Sequence, residues 1–160
     1  MFIGADYYPE HWPRERWETD AKLMADAHFN IVRLAEFAWI KMEPHEGEYD
    51  FAWLDEAIEL LGSHGVKSIV CTPTATMPKW LFDKYPEVVA IGRDGHREVF
   101  GNRQINCFSS GTYRLMSQKI TTAMARHFAG NPNVVGWQLD NEFWGPYCYC
   151  NTCERSFQNW

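Results

Sequence analysis

Four short apolar runs recur along the chain, at residues 2–6, 29–34, 66–72 and 134–139. Runs of this length, bounded by polar and turn-forming residues, predict β-strands. Apolar side chains on both faces are typical of strands that are covered on both sides, as in a parallel sheet. The pattern therefore predicts four strands, and the fourth, from Val134, is expected to be a buried strand.

The segments between these runs have apolar residues three and four positions apart, which predicts amphipathic helices. The apolar faces are Trp17, Ala21, Met24, Ala25 and His28 in the first, Phe51, Leu54, Ile58 and Leu61 in the second, and Tyr113, Met116, Ile120, Met124 and Phe128 in the third. Asp50 is a predicted cap of the second helix, and Ser109 or Ser110 of the third. We interpret His28 as a helix-end residue and not as a metal ligand.

The alternation of strands and helices predicts a parallel α/β sheet with right-handed crossovers. A complete (β/α)8 barrel takes about 250 residues, whereas this chain has 160. Two architectures remain open at this point: the N-terminal half of a (β/α)8 TIM barrel, with strands one to four, or an open α/β sheet. We interpret residues 1–160 as a partial barrel domain that stops before strand five and belongs to a longer protein.

Composition and charge exclude several classes of protein. The formal net charge of −6 argues against a nucleic-acid partner, because such partners select basic surfaces. No apolar run reaches the roughly 18 residues of a transmembrane helix, so no membrane partner is expected. The N-terminus enters the first strand without a basic and apolar leader, which predicts a cytoplasmic location. The 8 Trp residues are consistent with sugar stacking and with packing alike.

The fourth apolar run ends abruptly in Asp140, Asn141 and Glu142. Carboxylates at the end of a buried strand indicate a site, because the chemistry of parallel barrels lies at the C-terminal ends of the strands. Glu142 is therefore the candidate catalytic acid. Aromatic residues at 137 and 143–144 are expected to desolvate its carboxyl group and raise its pKa. The alternative is a solvated turn with a helix cap.

Other polar residues also lie at or near predicted strand ends, namely Asp6, Arg33 and Thr72. Glycoside hydrolysis needs two carboxyl groups. Asp6 and Glu36 are the weaker candidates for the second group. For both, an ion pair in the mouth of the barrel is the favoured interpretation.

A polar cluster of Arg103, Gln104 and Asn106 lies in the long loop after the third strand. This loop is longer than a structural connection needs, which favours a functional role. A guanidinium group beside side-chain amides suits the recognition of hydroxyl groups. A surface loop that makes a salt bridge explains these residues equally well.

Three closely spaced cysteines, Cys148, Cys150 and Cys153, follow the fourth strand, and Cys107 precedes that strand. Loops after neighbouring barrel strands approach each other, so four thiolates can complete a tetrahedral zinc site. Such a site has no open position, which favours a structural zinc over a catalytic one. Free thiols or a disulfide are the alternatives, but three cysteines within six residues of a chain without a leader favour a metal site. Cys71 is interpreted as a small buried apolar residue.

Several separate segments, in order along the whole chain, resemble glycoside hydrolase family 42. They are YYPEHW at residues 7–12, RLAEFAW at 33–39, RQINC at 103–107 and GWQLDNE at 136–142. The resemblance implies a retaining β-galactosidase with an N-terminal (β/α)8 barrel, acting on a β-galactoside substrate. It also implies a homo-oligomeric parent protein, a trimer.

The resemblance also implies individual roles. Glu142 matches the acid/base, Asn141 a residue that contacts the sugar beside it, Arg103 a galactose-contacting arginine, and Arg33 an arginine that lines the pocket. The structural zinc of some members is held by residues that match Cys107, Cys148, Cys150 and Cys153. The nucleophile, a glutamate at the end of strand seven, has no counterpart because it falls outside this chain.

Three functions remain in view from the sequence. The first is a retaining β-galactosidase. The second is a barrel glycosidase for another β-linked sugar, such as a glucoside, mannoside or fucoside. The third is a zinc-stapled binding module without chemistry. Under the first two, this chain alone is expected to be inactive, because one carboxyl group cannot carry out double displacement.

Overall fold

The computed structural model describes residues 1–143 and 147–160. In chain order the helices and strands are β1 (Gly4–Asp6), α1 (Trp17–Asp26), β2 (Ile31–Leu34), α2 (Trp39–Met42), α3 (Ala52–Ser63), β3 (Lys67–Cys71), α4 (Lys79–Lys84), α5 (Gly111–His127), β4 (Val134–Gln138) and α6 (Asn151–Gln158).

The four strands form one sheet in the order β1-β2-β3-β4, and every neighbouring pair is parallel. Asp6 lies opposite Arg33 across β1 and β2, and Cys71 lies opposite Gln138 across β3 and β4. This is the arrangement of the first four strands of a (β/α)8 barrel, so the predicted α/β half-barrel is confirmed. Parallel pairing brings all four carboxyl ends to one edge of the sheet.

The helix ends follow local chemistry that the sequence indicates. Ser110 caps α5, and its hydroxyl accepts a hydrogen bond of 3.3 Å from the Tyr113 amide. The Asp50 carboxylate accepts one of 3.0 Å from the Ala52 amide at the start of α3. His28 follows α1 with a φ of 62°, so it terminates the helix in the left-handed region, as predicted.

The structure adds two helices that the sequence pattern did not predict. Both α2 and α4 are only one or two turns long, which is too short for helical periodicity to be recognised. Each contributes an anchor to the core, since Trp39 in α2 and Leu81 in α4 are completely buried. The long loop after β3 is therefore partly helical and packs against the rest of the domain.

The expectation that the fourth strand is buried on both faces is wrong, and the other outer strand, β1, is exposed as well. All three residues of β1 are exposed, and Val135 and Trp137 of β4 are exposed as well. Within the described residues, each outer strand has a hydrogen-bonded neighbour on one side only. The inner strands β2 and β3 have no exposed residue. The core is centred on these strands and includes Leu34, Leu54, Ile58, Leu61, Val70, Ile120 and Met124.

Candidate active site and metal centre

The ends of the four strands bring the predicted polar residues to one edge of the sheet. Asp6 and Arg33 are neighbours in the register of β1 and β2. Thr72 follows β3, and its amide donates a hydrogen bond of 2.9 Å to the carbonyl of Gln138 at the end of β4. The edge therefore places residues from all four strands beside the turn that contains Glu142.

Arg33 is the centre of a charged network. Its Nη2 lies 2.6 Å from Glu36 Oε1 and 3.8 Å from Asp6 Oδ2. Tyr8 donates from its hydroxyl to Glu36 at 2.7 Å, and to Asp6 at 2.9 Å. Both carboxylates are thus ion-pair partners of Arg33, as the favoured interpretation expected.

Burial and charge set the protonation of this network. Burial, then the hydrogen bonds to Glu36 and Asp6, raises the pKa of Tyr8, so its hydroxyl keeps its proton. The hydrogen bond from Tyr8 is the main cause that lowers the pKa of Asp6. Burial alone would lower the pKa of Arg33, but Glu36 and the neighbouring hydroxyl outweigh it and raise it. The network is therefore a fixed cation held between two carboxylates.

The network reaches the end of β4 through Gln138. Arg33 Nη1 donates to Gln138 Oε1 at 3.0 Å. Gln138 Nε2 donates in turn to the carbonyl oxygen of Asp140 at 2.8 Å and to Asn141 Oδ1 at 3.3 Å. Asn141 is buried, with 6% of its surface exposed. An unbroken chain of contacts thus joins β2 to the residue beside Glu142.

The turn after β4 has an unusual backbone. Asp140 and Glu142 have φ values of 56° and 47°, in the left-handed region that costs a non-glycine residue free energy. Contacts across the site hold Asp140 there. Its amide donates to Thr72 Oγ1 at 2.7 Å, and its Oδ2 accepts from Thr74 Oγ1 at 2.6 Å. Its Oδ1 accepts from the Asn141 amide at 2.7 Å.

The loop after β3 contacts the same turn from the other side. Gln104 Nε2 donates to the carbonyl oxygen of Asn141, and to that of Glu142 at 2.5 Å. Arg103 Nη1 lies 3.7 Å from Glu142 Oε2, and its guanidinium group lies 5.3 Å from the centre of the Phe37 ring. The predicted residues Arg103, Asn141 and Glu142 are therefore brought together.

The Glu142 carboxyl group is not enclosed as the sequence analysis expected. Its side chain is 72% exposed, and Phe143 next to it is 78% exposed. Trp144, which was expected to form part of the aromatic wall, lies outside the described residues. The aromatic residues are neighbours of Glu142 in sequence, but the turn after β4 does not fold Phe143 over the carboxyl group.

Sequence reasoning missed several residues that shape the site. Neither Tyr8 nor Thr74 was given a role, because their partners lie 28 and 66 positions away. For Gln104 the sequence left hydroxyl recognition and a surface loop equally open, and in the structure its amide contacts two backbone carbonyls. A cavity of about 380 Å³ also lies next to Arg103 in the chain. Its apolar lining includes Phe37, Ile40, Met77, Pro78 and Phe100.

The four predicted metal ligands form one cluster. The sulfur atoms of Cys107, Cys148, Cys150 and Cys153 all lie within 4.8 Å of one another. Cys107 Sγ is 3.7 Å from that of Cys150 and 3.4 Å from that of Cys153. A zinc ion with Zn–S bonds of about 2.3 Å in a tetrahedron separates its sulfur ligands by about 3.8 Å. The donor set and its spacing fit zinc.

Backbone amides point at two of these sulfur atoms. The Ile91 amide donates to Cys148 Sγ at 3.4 Å, and the Cys153 amide to Cys150 Sγ at 3.5 Å. Burial alone would raise the pKa of Cys150, but this amide and the neighbouring thiol groups outweigh it and lower it to about 7. Burial raises the pKa of Cys107. Cys71 is completely buried and lies outside this cluster.

A search for membrane-spanning helices found none of sufficient length and apolar character among the described residues.

Comparison with known proteins assigns the chain to a family. The family model described as beta-galactosidase, glycoside hydrolase family 42, matches residues 6–160. Beta-galactosidase BgaH of Haloferax lucentense is 49% identical over the whole chain, which covers 25% of that protein. The solved beta-galactosidase of Halorubrum lacusprofundi superposes with a TM-score of 0.95 at 47% identity. That of Rahnella sp. R3 superposes with 0.96 at 35% identity.

Each of these two structures matches the whole chain, which covers 24% of its length. The chain thus spans about a quarter of the length of the relatives that it matches. The matches extend through the strand-end residues and the cysteine cluster. The chain therefore belongs to glycoside hydrolase family 42.

Proposed function

We propose that the protein containing this chain is a retaining β-galactosidase that releases terminal non-reducing β-D-galactose. The observation that carries the proposal is the position of Glu142. It lies just beyond the end of β4, beside Asn141 and 3.7 Å from Arg103, in a chain of family 42. The relatives reported above are named beta-galactosidases.

In the proposed mechanism, Glu142 protonates the glycosidic oxygen while a second carboxylate attacks the anomeric carbon and the aglycone leaves. Glu142 then takes a proton from the water that hydrolyses the resulting glycosyl-enzyme ester. Arg103 and Asn141 contact the galactose. Arg33, held between Glu36 and Asp6, lines the pocket as a fixed cation. Glu142 is exposed in this chain, so the desolvation that keeps a general acid protonated must come from the rest of the protein.

The second carboxyl group of the mechanism also comes from outside this chain. A retaining pair needs carboxyl groups about 5–5.5 Å apart. Asp6 and Glu36 are both occupied by Arg33 and Tyr8, which supports the interpretation that neither is the nucleophile. Residues 1–160 therefore supply the acid/base half of the site.

We further propose that Cys107, Cys148, Cys150 and Cys153 hold one structural zinc ion. The spacing of their sulfur atoms and the amides that point at them support this. When bound, the ion would tie the loop after β3 to the segment after β4 and would supply no chemistry, because four thiolates leave no open position.

The test compares the full-length wild type with Glu142→Gln on nitrophenyl β-galactosides whose aglycones differ in leaving-group pKa. Loss of general acid catalysis should reduce kcat/KM strongly for a poor leaving group and little for a good one. Glu59→Gln, an exposed glutamate on α3, serves as the matched control. Equal activity of the wild type and Glu142→Gln would remove Glu142 from the mechanism. Faster hydrolysis of glucosides, mannosides or fucosides would change the assigned sugar.

A further inference from the structure

The side chain of Gln138 has only one possible orientation in this site. Its oxygen faces Arg33 Nη1 at 3.0 Å, and a guanidinium group can only donate. Its nitrogen faces the carbonyl oxygen of Asp140 at 2.8 Å, and a carbonyl can only accept. Reversing the amide would place two donors together and two acceptors together. The orientation is therefore set by both neighbours.

The orientation of the Gln138 amide determines which side-chain atom of Asn141 is available to a ligand. Gln138 Nε2 donates to Asn141 Oδ1 at 3.3 Å, so the oxygen of this amide is used as an acceptor within the protein. Asn141 is buried, and its backbone amide donates to Asp140 Oδ1 at 2.7 Å. Both limit the movement of the residue. The group with which its side chain can donate to a ligand is Nδ2.

The donor-to-acceptor direction of these hydrogen bonds is set at one end by the buried carboxylate of Glu36. Glu36 is completely buried and binds Arg33 at 2.6 Å, which places the guanidinium N–H groups. Charge at Glu36 thus fixes Arg33, Arg33 fixes Gln138, and Gln138 fixes Asn141. In each of these contacts a donor of one residue faces an acceptor of the next, and the carboxylate of Glu36 and the guanidinium group of Arg33 fix the direction.

We propose that Gln138 is a positioning residue that makes Asn141 a hydrogen-bond donor to one hydroxyl oxygen of the bound sugar. The inference rests on the proposed function, because it concerns sugar binding at the same site. It assigns Gln138 no contact with the substrate. Its effect on catalysis passes through Asn141.

The experiment uses full-length enzyme and a set of monodeoxy nitrophenyl β-galactosides, each lacking one hydroxyl group. Comparing wild type with Asn141→Ala identifies the hydroxyl group that Asn141 contacts. Removing that hydroxyl group from the substrate reduces kcat/KM of the wild type but no longer reduces that of the variant. Gln138→Met has a similar volume and no amide. In this variant, the loss of kcat/KM caused by removing that one hydroxyl group should be about tenfold smaller. The losses for the other hydroxyl groups should be unchanged. Gln158→Met, at an exposed position on α6, should leave the whole profile unchanged.

Two further variants separate positioning from folding. Gln138→Glu keeps the partner of Arg33 but turns an acceptor toward Asn141, so it should give the same selective loss in a folded protein. In the Asn141→Ala background, Gln138→Met should have almost no additional effect. An equal loss on all substrates, or full additivity with Asn141→Ala, would overturn the inference. Absence of wild-type turnover on every galactoside would overturn the proposed function together with this inference, whereas an unchanged deoxy profile in an active enzyme would overturn the inference alone.

Discussion

Thr74 and Asp140 are 66 positions apart in sequence, yet the hydroxyl of Thr74 donates a buried hydrogen bond of 2.6 Å to Asp140 Oδ2. This contact joins the segment after β3 to the turn after β4. Asp140 has a φ of 56°, so the contact holds a backbone conformation that an isolated peptide rarely adopts. The position of Asn141 and Glu142 depends on it.

Replacing Thr74 with Val should therefore weaken both stability and activity. The substitution keeps the side-chain shape but leaves a buried carboxylate oxygen without its donor, at a cost of about 1–3 kcal/mol. We expect a lower free energy of unfolding in urea and a lower kcat for the full-length enzyme. Thr19→Val changes an exposed threonine on α1 and should change neither. A wild-type kcat in Thr74→Val would show that the turn after β4 keeps its conformation without this hydrogen bond.

Gln104 should be needed for activity although it is not assigned to the substrate. Its amide nitrogen donates to the carbonyl oxygens of Asn141 and Glu142. Gln104→Glu has nearly the same shape but presents an acceptor to two acceptors, so kcat should fall about tenfold or more. Steady-state kinetics on a nitrophenyl β-galactoside would measure this, with Gln158→Glu as the exposed control. Unchanged kcat would show that Gln104 does not hold the turn.

Arg33→Met should strongly destabilise the protein. It leaves Glu36 as a completely buried carboxylate without its cation, and breaking such a pair costs about 3–5 kcal/mol. Adding Glu36→Gln should recover much of this loss, because the uncompensated charge is then absent. Arg14→Met breaks the exposed pair with Glu56 and should cost less than about 1 kcal/mol. Urea unfolding of these three variants and the wild type measures these effects, and equal losses for Arg33→Met and Arg14→Met would contradict the argument.

Metal removal should unfold the loops around the cysteine cluster before it affects chemistry. We expect one zinc ion per chain by elemental analysis and a lower melting temperature after chelation, because the free energy of metal binding contributes to folding. Cys153→Ser should lower the zinc content, whereas Cys71→Ala should retain it, since Cys71 lies outside the cluster. Full zinc content in Cys153→Ser would exclude this residue as a ligand.

Residues 1–160 expressed alone should show no galactoside turnover, because in the proposed mechanism they supply one of the two carboxyl groups that double displacement needs. They should also self-associate, since Phe2 before β1 and Val135 and Trp137 of β4 are exposed and strand edges pair readily. Light scattering and a nitrophenyl β-galactoside assay, with the full-length protein as control, test both points. Turnover by the 160-residue chain would contradict the assignment of a missing nucleophile.

Much of the fold could be predicted because its signals are local. The apolar face of α3 and the cap of α5 at Ser110 are set by residues within a few positions of each other. The short helices α2 and α4 could not be predicted, because four to six residues carry no helical period. Their anchors, Trp39 and Leu81, are identified only by what covers them.

The sequence likewise predicted some features of the candidate site and missed others. Glu142 was predicted from its position at a strand end and the four cysteines from their spacing, and the family resemblance supported both. In the structure Glu142 lies 3.7 Å from Arg103, and the four sulfur atoms form one cluster. The burial of Glu142 was predicted wrongly, because aromatic neighbours in sequence need not be neighbours in space.

By itself, the sequence determined the order of strands and helices, the polar residues at the strand ends and the four cysteines of the candidate metal centre. These follow from periodicity, capping and spacing, which act over a few residues. Only the tertiary structure decided that Tyr8, Glu36, Arg33 and Gln138 form one chain of contacts ending at Asn141. It also decided that Thr74 holds Asp140. Hydrogen bonds need atoms about 3 Å apart, and only the parallel sheet brings residues so distant in sequence to that separation.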